Sequence, residues 1–274
     1  MGPVGICAIF KDEAQDLLEW IAYHLCIGFD HIVLFDNGSE DGGAELVAAS
    51  AFRSLVTIID WPELPGQLSA YRYFCDHFGK HFQWVAFIDI DEFVHLLDYD
   101  SIKVVLPRYQ DASGIQLQWL TFASSGHIAR PSGLIMENYD QRLSKHHVRC
   151  SWVKPLVRPA DIIDVSEGPH VFRVRGSLLN PRGMPVPPFA GLPPCHDPIV
   201  INHYYTKSRE DWETKRRRGA VAFPENRNYY LLRDFDRHNR EATVRDNRIM
   251  RFVPLVKQAL AAGTANNPQT VSAD

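Results

Sequence analysis

The strongest constraint on this chain is an alternation running from its start to about residue 93. Short apolar runs of strand length alternate with segments whose apolar residues fall on one helical face. Val4 to Phe10 reads as a buried strand, and His31 to Phe35, Val56 to Trp61 and Trp84 to Ile90 repeat the pattern. After the first strand, Asp12 is placed to cap a helix in which Leu17, Leu18, Ile21 and Leu25 share a face, and Gly28 ends it. Helices of about Asp41 to Ala51 and Gln67 to Gly79 fill the later gaps. Strands alternating with helices predict an α/β fold, a mostly parallel sheet covered on both faces. Sites in such sheets form at the carboxyl ends of the strands.

Polar residues gather at that rim. Strand one ends in Lys11, Asp12 and Glu13, strand two in Asp36, Asn37 and Ser39, and strand four in Asp89, Asp91 and Glu92. Three carboxylates at one strand end repel one another, so a cation is their natural partner. Hard oxygen ligands suit Mg²⁺ or Mn²⁺, completed by substrate phosphate and water. The alternative is helix capping plus solvated charge.

The second half is less regular. Ile115 to Phe122 reads as a strand and Ser124 to His127 as a loop. Pro and Gly are dense from Pro155 to Pro198, which predicts long surface connections. Arg209 to Arg218 reads as a charged helix, Val244 to Leu260 as an amphipathic one, and 261–274 as a flexible tail. The organisation expected is one domain over 1–260, in two halves of 1–100 and 101–260.

Charge and cysteines narrow the function. A net charge of -4 argues against a general nucleic-acid binder. No apolar run is long enough to span a membrane, and the N-terminal residues do not read as a signal peptide. The five cysteines show no C-x-x-C spacing, which points away from zinc or a redox pair and toward a reducing, cytoplasmic compartment.

Several blocks occur in a telling order. Ala8 to Glu13 is followed by Glu19 to His24, then Gly28 with Phe35 to Asp41, Gln67, and Phe87 to Phe93. Trp119 with Ser124 to His127, Lys154-Pro155, Arg158-Pro159, Pro169-His170 and Asn202 to Ser208 complete the series. In these the chain resembles bacterial family 2-like glycosyltransferases of the GT-A fold, most closely those related to glycosyltransferase family 92. The blocks span about residues 4 to 219.

The resemblance implies a nucleotide-sugar donor, UDP-linked, whose diphosphate is bridged by Mn²⁺ or Mg²⁺, and an inverting transfer to a glycan or other hydroxyl acceptor. Carried over residue by residue, Lys11, Glu13, Asp36, Asn37, Ser39, Gln67, Asp89 and Lys207 line the donor site. Asp12 departs from the Asn usual at its position. Asp89 and Asp91 match the D-x-D pair, and His203, after the apolar Ile199 to Ile201, is a third metal ligand or else a core histidine. Trp119, Ser125 and His127 are acceptor candidates, with a core tryptophan as the bland alternative. For most of Lys215 to Arg218 a solvated face is expected, and His24 is expected to be structural. The catalytic base is open among Glu137, Glu167 and Asp211, with Asp140 and Asp164 behind them. Two other classes compete: a metal-dependent nucleotidyltransferase, and a non-catalytic nucleotide- or sugar-binding module. The first loop lacks the glycine-rich phosphate cradle that the former uses.

Overall fold

The computed structural model describes residues 1–188, 191–219 and 232–265. Its strands are β1 (Val4–Phe10), β2 (His31–Asp36), β3 (Val56–Asp60), β4 (Trp84–Phe87), β5 (Glu92–Leu96), β6 (Gly114–Phe122) and β7 (Gln141–Arg142). They continue with β8 (Val153–Val157), β9 (Ile162–Asp164), β10 (Arg173–Val174), β11 (Leu178–Leu179), β12 (Pro185–Val186), β13 (Ile199–Tyr204) and β14 (Val244–Arg245). The helices are α1 (Ala14–Cys26), α2 (Gly43–Ala49), α3 (Gln67–His77), α4 (Ile102–Val105), α5 (Ile135–Asn138), α6 (Arg209–Arg218), α7 (Leu232–Glu241) and α8 (Val253–Ala265).

The expected α/β sheet is present. β3, β2, β1 and β4 lie side by side and parallel, with Phe10 level with Asp36 and Asp36 level with Asp60. Every residue of β1 is buried because both of its faces are covered. Ile6, Ala8 and Phe10 join the core that holds Leu17, Trp20 and Ile21 of α1. Cys7 and Ile9 belong to a second core with Ala70, Tyr71 and Phe74 of α3. All five cysteines are free thiols. No helix among the described residues is long and apolar enough to cross a membrane.

Beyond β4 the sheet becomes mixed. β8 runs antiparallel between β4 and β6, and β13 lies parallel to β6 and antiparallel to β5. The register sets His203 opposite both Glu92 and Thr121. That pairing carries a late histidine to the turn after β4. α1 pins the same turn: Trp20 Nε1 donates to Glu92 O at 2.7 Å and Tyr23 Oη to Val94 O at 2.8 Å. His24 Nε2 accepts from Val94 N at 3.1 Å, while its Nδ1 meets Trp20 O at 2.8 Å. His24 is therefore structural, as expected, and burial lowers its pKa to about 3.

Some expectations change. Asp12 does not cap α1; its backbone is left-handed, with φ of 48°, a conformation that Asn and Asp tolerate best after glycine. Asp41 caps from the next loop instead, its Oδ2 accepting from Ala14 N at 2.7 Å. The stretch from Pro155 is not all surface connection, because Val153–Val157 is a buried central strand with Pro155 opposite Gln116. β4 stops at Phe87, and Ile88 to Asp91 turn the chain into β5. The single helix expected over Val244 to Leu260 is a short strand, a 3₁₀ turn (Arg248–Phe252) and α8. Pro254 fits the first turn of α8, where its missing N–H costs nothing. The flexible tail expected from residue 261 begins instead with helix to Ala265, and 266–274 lie outside the described residues.

Candidate active site

A cleft of about 450 Å³ opens at the carboxyl end of β1, between α1 and α6. Its described lining carries seven carboxylates (Asp12, Glu13, Asp16, Asp41, Asp91, Glu210, Asp211) against four cations (Arg130, Lys207, Lys215, Arg218). The described wall is thus three formal charges negative. A diphosphate entering alone would meet repulsion.

The crowded carboxylates after β4 do find cations, and the chain supplies two of them. Lys215 Nζ donates to Asp91 Oδ2 at 2.6 Å. Lys154 Nζ donates to Asp89 Oδ2 at 2.8 Å and stands 3.5 Å from Glu92 Oε2. Burial works against the Asp91 anion, but Lys215, His203 and Lys207 together hold its carboxyl well below the usual carboxylate range. Burial pushes Glu92 up despite Lys154, whose charge answers first to Asp89.

Lys215 and Arg218 are therefore not a solvated face. The side chain of Lys215 is 11% exposed and that of Arg218 is 13% exposed. Arg218 reaches Glu13 Oε1 at 3.0 Å and Lys11 O at 2.6 Å. Burial raises the Glu13 pKa against the pull of Arg218. Lys207, also left-handed at φ 50°, places its ammonium on Asp16. Arg130 bridges Asp16 and Asp211, the latter at 2.7 Å.

His203 Nε2 stands 3.5 Å from Asp91 Oδ2, and its Nδ1 is buried with no partner among the described residues. Burial lowers the imidazole pKa, so the ring is neutral near pH 7. A carboxylate oxygen beside a neutral imidazole is a donor pair suited to Mn²⁺. Asp89 does not complete a triad: Gln67 Nε2 holds Oδ1 at 2.9 Å and Lys154 holds Oδ2. Among the described residues no group of three His, Cys, Asp or Glu side chains is arranged around an ion. The pair and the acidic cleft fit a divalent cation that takes its other ligands from phosphate and water.

On the donor side, Asp36 Oδ1 accepts from Ser39 N at 2.8 Å, and Ser39 Oγ accepts from Asp12 N at 3.0 Å. These bonds lace the loops after β1 and β2 together. Asn37 is turned inward, its Nδ2 donating to Trp61 O and Glu63 O at 2.7 and 2.9 Å. Asn37 and Gln67 thus hold loops and the Asp89 carboxylate.

The acceptor candidates do not form one group. Trp119 lies mid-sheet with its ring 4.3 Å from that of His203. Ser125 Oγ accepts from Asp140 N and Gln141 N at 2.9 and 3.0 Å, and His127 Nε2 is 3.2 Å from Asn138 O. Both are spent on loop backbone. Among the base candidates, Glu137 pairs with Lys257 at 2.7 Å and Glu167 is exposed between β9 and β10. Asp140 pairs with Arg245 at 2.6 Å, and Asp164 bonds Ser166 N at 3.0 Å. Asp211 alone of these lines the cleft, and its oxygens already serve Ser208, Arg130 and Tyr139.

Lys154 carries a role that residue patterns overlooked. The signal was present: a lysine inside Val-Lys-Pro-Leu-Val, an apolar strand, has to meet a carboxylate once buried.

The model of glycosyltransferase family 92 matches residues 3–165. A family 92 protein of Oryza sativa subsp. japonica is 29% identical over 203 residues, covering 73% of this chain and 32% of that protein. One of Ricinus communis is 26% identical over 220 residues, covering 76% and 35%. The chain thus spans about a third of the length of these curated relatives. Among solved structures, a fragment of S. aureus TarS overlays with a TM-score of 0.39 at 10% identity, covering 58% of this chain and 47% of that one. The glucosyl-3-phosphoglycerate synthase of Mycobacterium tuberculosis overlays with a TM-score of 0.31 at 13% identity, covering 43% and 44%. With more than half of its residues matched by the family model, this chain belongs to glycosyltransferase family 92.

Proposed function

We propose that the chain moves a sugar from a nucleotide diphosphate sugar, UDP-linked, to an acceptor hydroxyl with inversion at the anomeric carbon. One observation carries the reading: in a family 92 chain, Asp91 on the wall of an acidic cleft pairs with Lys215 at 2.6 Å and stands 3.5 Å from the buried His203. A divalent ion held by Asp91 and His203, Mn²⁺ or Mg²⁺, would offset the diphosphate charge as the sugar departs. Lys215 and Arg218 approach from α6, where fixed positive charge favours the leaving nucleotide. Asp36, with Oδ2 uncommitted, is the oxygen we assign to a ribose or base donor; Lys11, Glu13 and Ser39 shape the same loop pair. Gln67 and Lys154 keep Asp89 in place. Inversion also needs a base for the acceptor proton, and Asp211 is the named carboxylate that stands in the cleft.

The test is incubation with a panel of UDP-sugars, with Mn²⁺ or with chelator. Metal-dependent release of UDP is expected, and the product anomer read by NMR reports inversion. Release of pyrophosphate from UTP when a sugar 1-phosphate is supplied in place of the UDP-sugar would make the chain a nucleotidyltransferase, and no turnover of any nucleotide would make it a binding module.

A further inference from the structure

A second pocket, of about 370 Å³, carries the charge opposite to that of the acidic cleft and shares no lining residue with it. Three parts of the chain bring cations to it. β7 and the loop after it supply Arg142 and Lys145, the turn between β11 and β12 supplies Arg182, and β14 with the 3₁₀ turn after it supplies Arg245 and Arg248. The carboxylates of its described lining are Asp197 and Asp246. This wall is three formal charges positive, in a chain whose net charge is -4. Basic residues scattered over a surface are ordinary. Cations gathered from separate segments into one concavity repel one another, and an anion relieves them.

Asp246 answers part of that charge and braces the rest. Its side chain is 4% exposed, and it accepts from Arg142 Nε at 2.8 Å and from Arg248 Nε and Nη2 at 2.8 and 2.6 Å. Burial works against the Asp246 anion, but Arg248 and Arg142 hold its carboxyl well below the usual carboxylate range. One buried charge therefore orients two guanidinium planes. Arg142 Nη1 donates to Leu143 O at 3.0 Å, and Arg245 Nε donates to Asp140 Oδ2 at 2.6 Å. Nη2 of Arg142, Nη1 of Arg248 and both Nη atoms of Arg245 have no partner among the described residues. Arg182 stands 3.9 Å from Asp197, and Lys145 is exposed with no carboxylate partner among the described residues. Even with Asp140 counted, the cations outnumber the carboxylates by two.

We infer that this pocket binds a small phosphate monoester, its phosphate taken by Lys145, Arg182 and the unspent guanidinium N–H groups. A phosphate monoester carries about 1.5 to 2 negative charges near neutral pH, which matches the surplus, whereas a carboxylate carries one. Guanidinium groups braced by a carboxylate present N–H groups in fixed directions, which suits phosphate oxygens. The volume lies within the roughly 300–1,000 Å³ of small-ligand pockets, so an organic body fits beside the phosphate. A nucleic acid or other long polyanion would call for a stripe of charge across an open face rather than a concavity. The inference is independent of the transferase reading, since the two sites have no residue in common.

The experiment is calorimetric titration with inorganic phosphate, glucose 6-phosphate, glucuronate and glucose, with and without saturating UDP. Parent protein and the double variant Lys145→Met, Arg182→Met are compared. The phosphates are expected to bind equally well with UDP present, glucuronate at least about tenfold more weakly than glucose 6-phosphate, and glucose not at all. The double variant should lose at least about tenfold in affinity for glucose 6-phosphate, with UDP affinity and melting temperature unchanged, because both side chains are exposed. Equal binding of glucose 6-phosphate in variant and parent, binding of glucose as well as its phosphate, or binding of neither phosphate overturns the inference. Competition by UDP overturns it too, since the phosphate would then occupy the donor cleft. Sedimentation with phosphatidylcholine vesicles containing phosphatidate, or tight binding of polyphosphate, without binding of glucose 6-phosphate would assign the cations to a membrane or a polyanion instead. Release of UDP from UDP-sugars tests the transferase reading alone.

Discussion

Lys215 Nζ lies 2.6 Å from Asp91 Oδ2, joining residues 124 positions apart in sequence. The last turn of α6 is thereby tied to the turn after β4, and the ion pair helps to build the cleft wall. Asp91 is 6% exposed, and removing it takes the carboxylate away from a buried ammonium that also donates to Tyr205 O at 3.2 Å. Asp91→Ala should abolish transfer and also cost about 3–5 kcal/mol of stability. Asp91→Ala combined with Lys215→Met should cost less than the two single losses added together, since the ammonium is removed together with its carboxylate partner. Urea denaturation of the four proteins measures the coupling, and strictly additive losses would show that the pair contributes nothing.

Metal binding should depend on nucleotide. Asp91 and His203 supply two ligand atoms, and no third carboxylate, thiol or imidazole joins them among the described residues. Calorimetry should show Mn²⁺ binding far tighter with UDP present than without it, because phosphate oxygens complete the coordination. His203→Ala should weaken Mn²⁺ in the UDP complex by at least about tenfold. Equally tight Mn²⁺ without nucleotide, or in His203→Ala, would move the metal elsewhere.

Asp36 offers a sharper test of where the nucleotide lies. One of its oxygens holds Ser39 N and the other has no partner among the described residues. Asp36→Ala should weaken UDP by roughly 1.5–3 kcal/mol, the scale of a hydrogen bond to a charged group. Unchanged UDP affinity would exclude the β1–β2 loops as the nucleotide site.

Buried histidines should make the fold acid-sensitive. Burial lowers His24 to about 3 and His95 to about 4. An unfolded chain protonates these rings near pH 6.5, whereas the folded chain leaves them neutral until far lower pH. Between about pH 6.5 and 4 the unfolded state holds more protons, so stability falls as pH falls, by about 1.4 kcal/mol per pH unit for each ring. Melting curves across that window check the slope, and His24→Gln should make it shallower. A flat profile would mean that the rings take up protons while folded.

Reading the residues in order captured what depends on near neighbours. The four parallel strands follow from apolar runs of strand length, and the carboxylates of Asp89 and Asp91 follow from where such a run meets a turn. His24 could be placed in the core because it shares a helix with Trp20 and Leu25. Pro254 in the last helix and Lys154 in an apolar strand were visible signals whose consequences appear only once the elements are packed. The basic partners of Asp89 and Asp91 were not legible, and only the family resemblance put His203 beside them. Lys154 reaches Asp89 because β8 inserts between β4 and β6, and His203 reaches Asp91 because β13 pairs with β5 in one register. Burial demands that each charge be compensated, but it does not say by which residue. That choice belongs to strand order and helix docking, which bring distant residues together and have no trace in local periodicity.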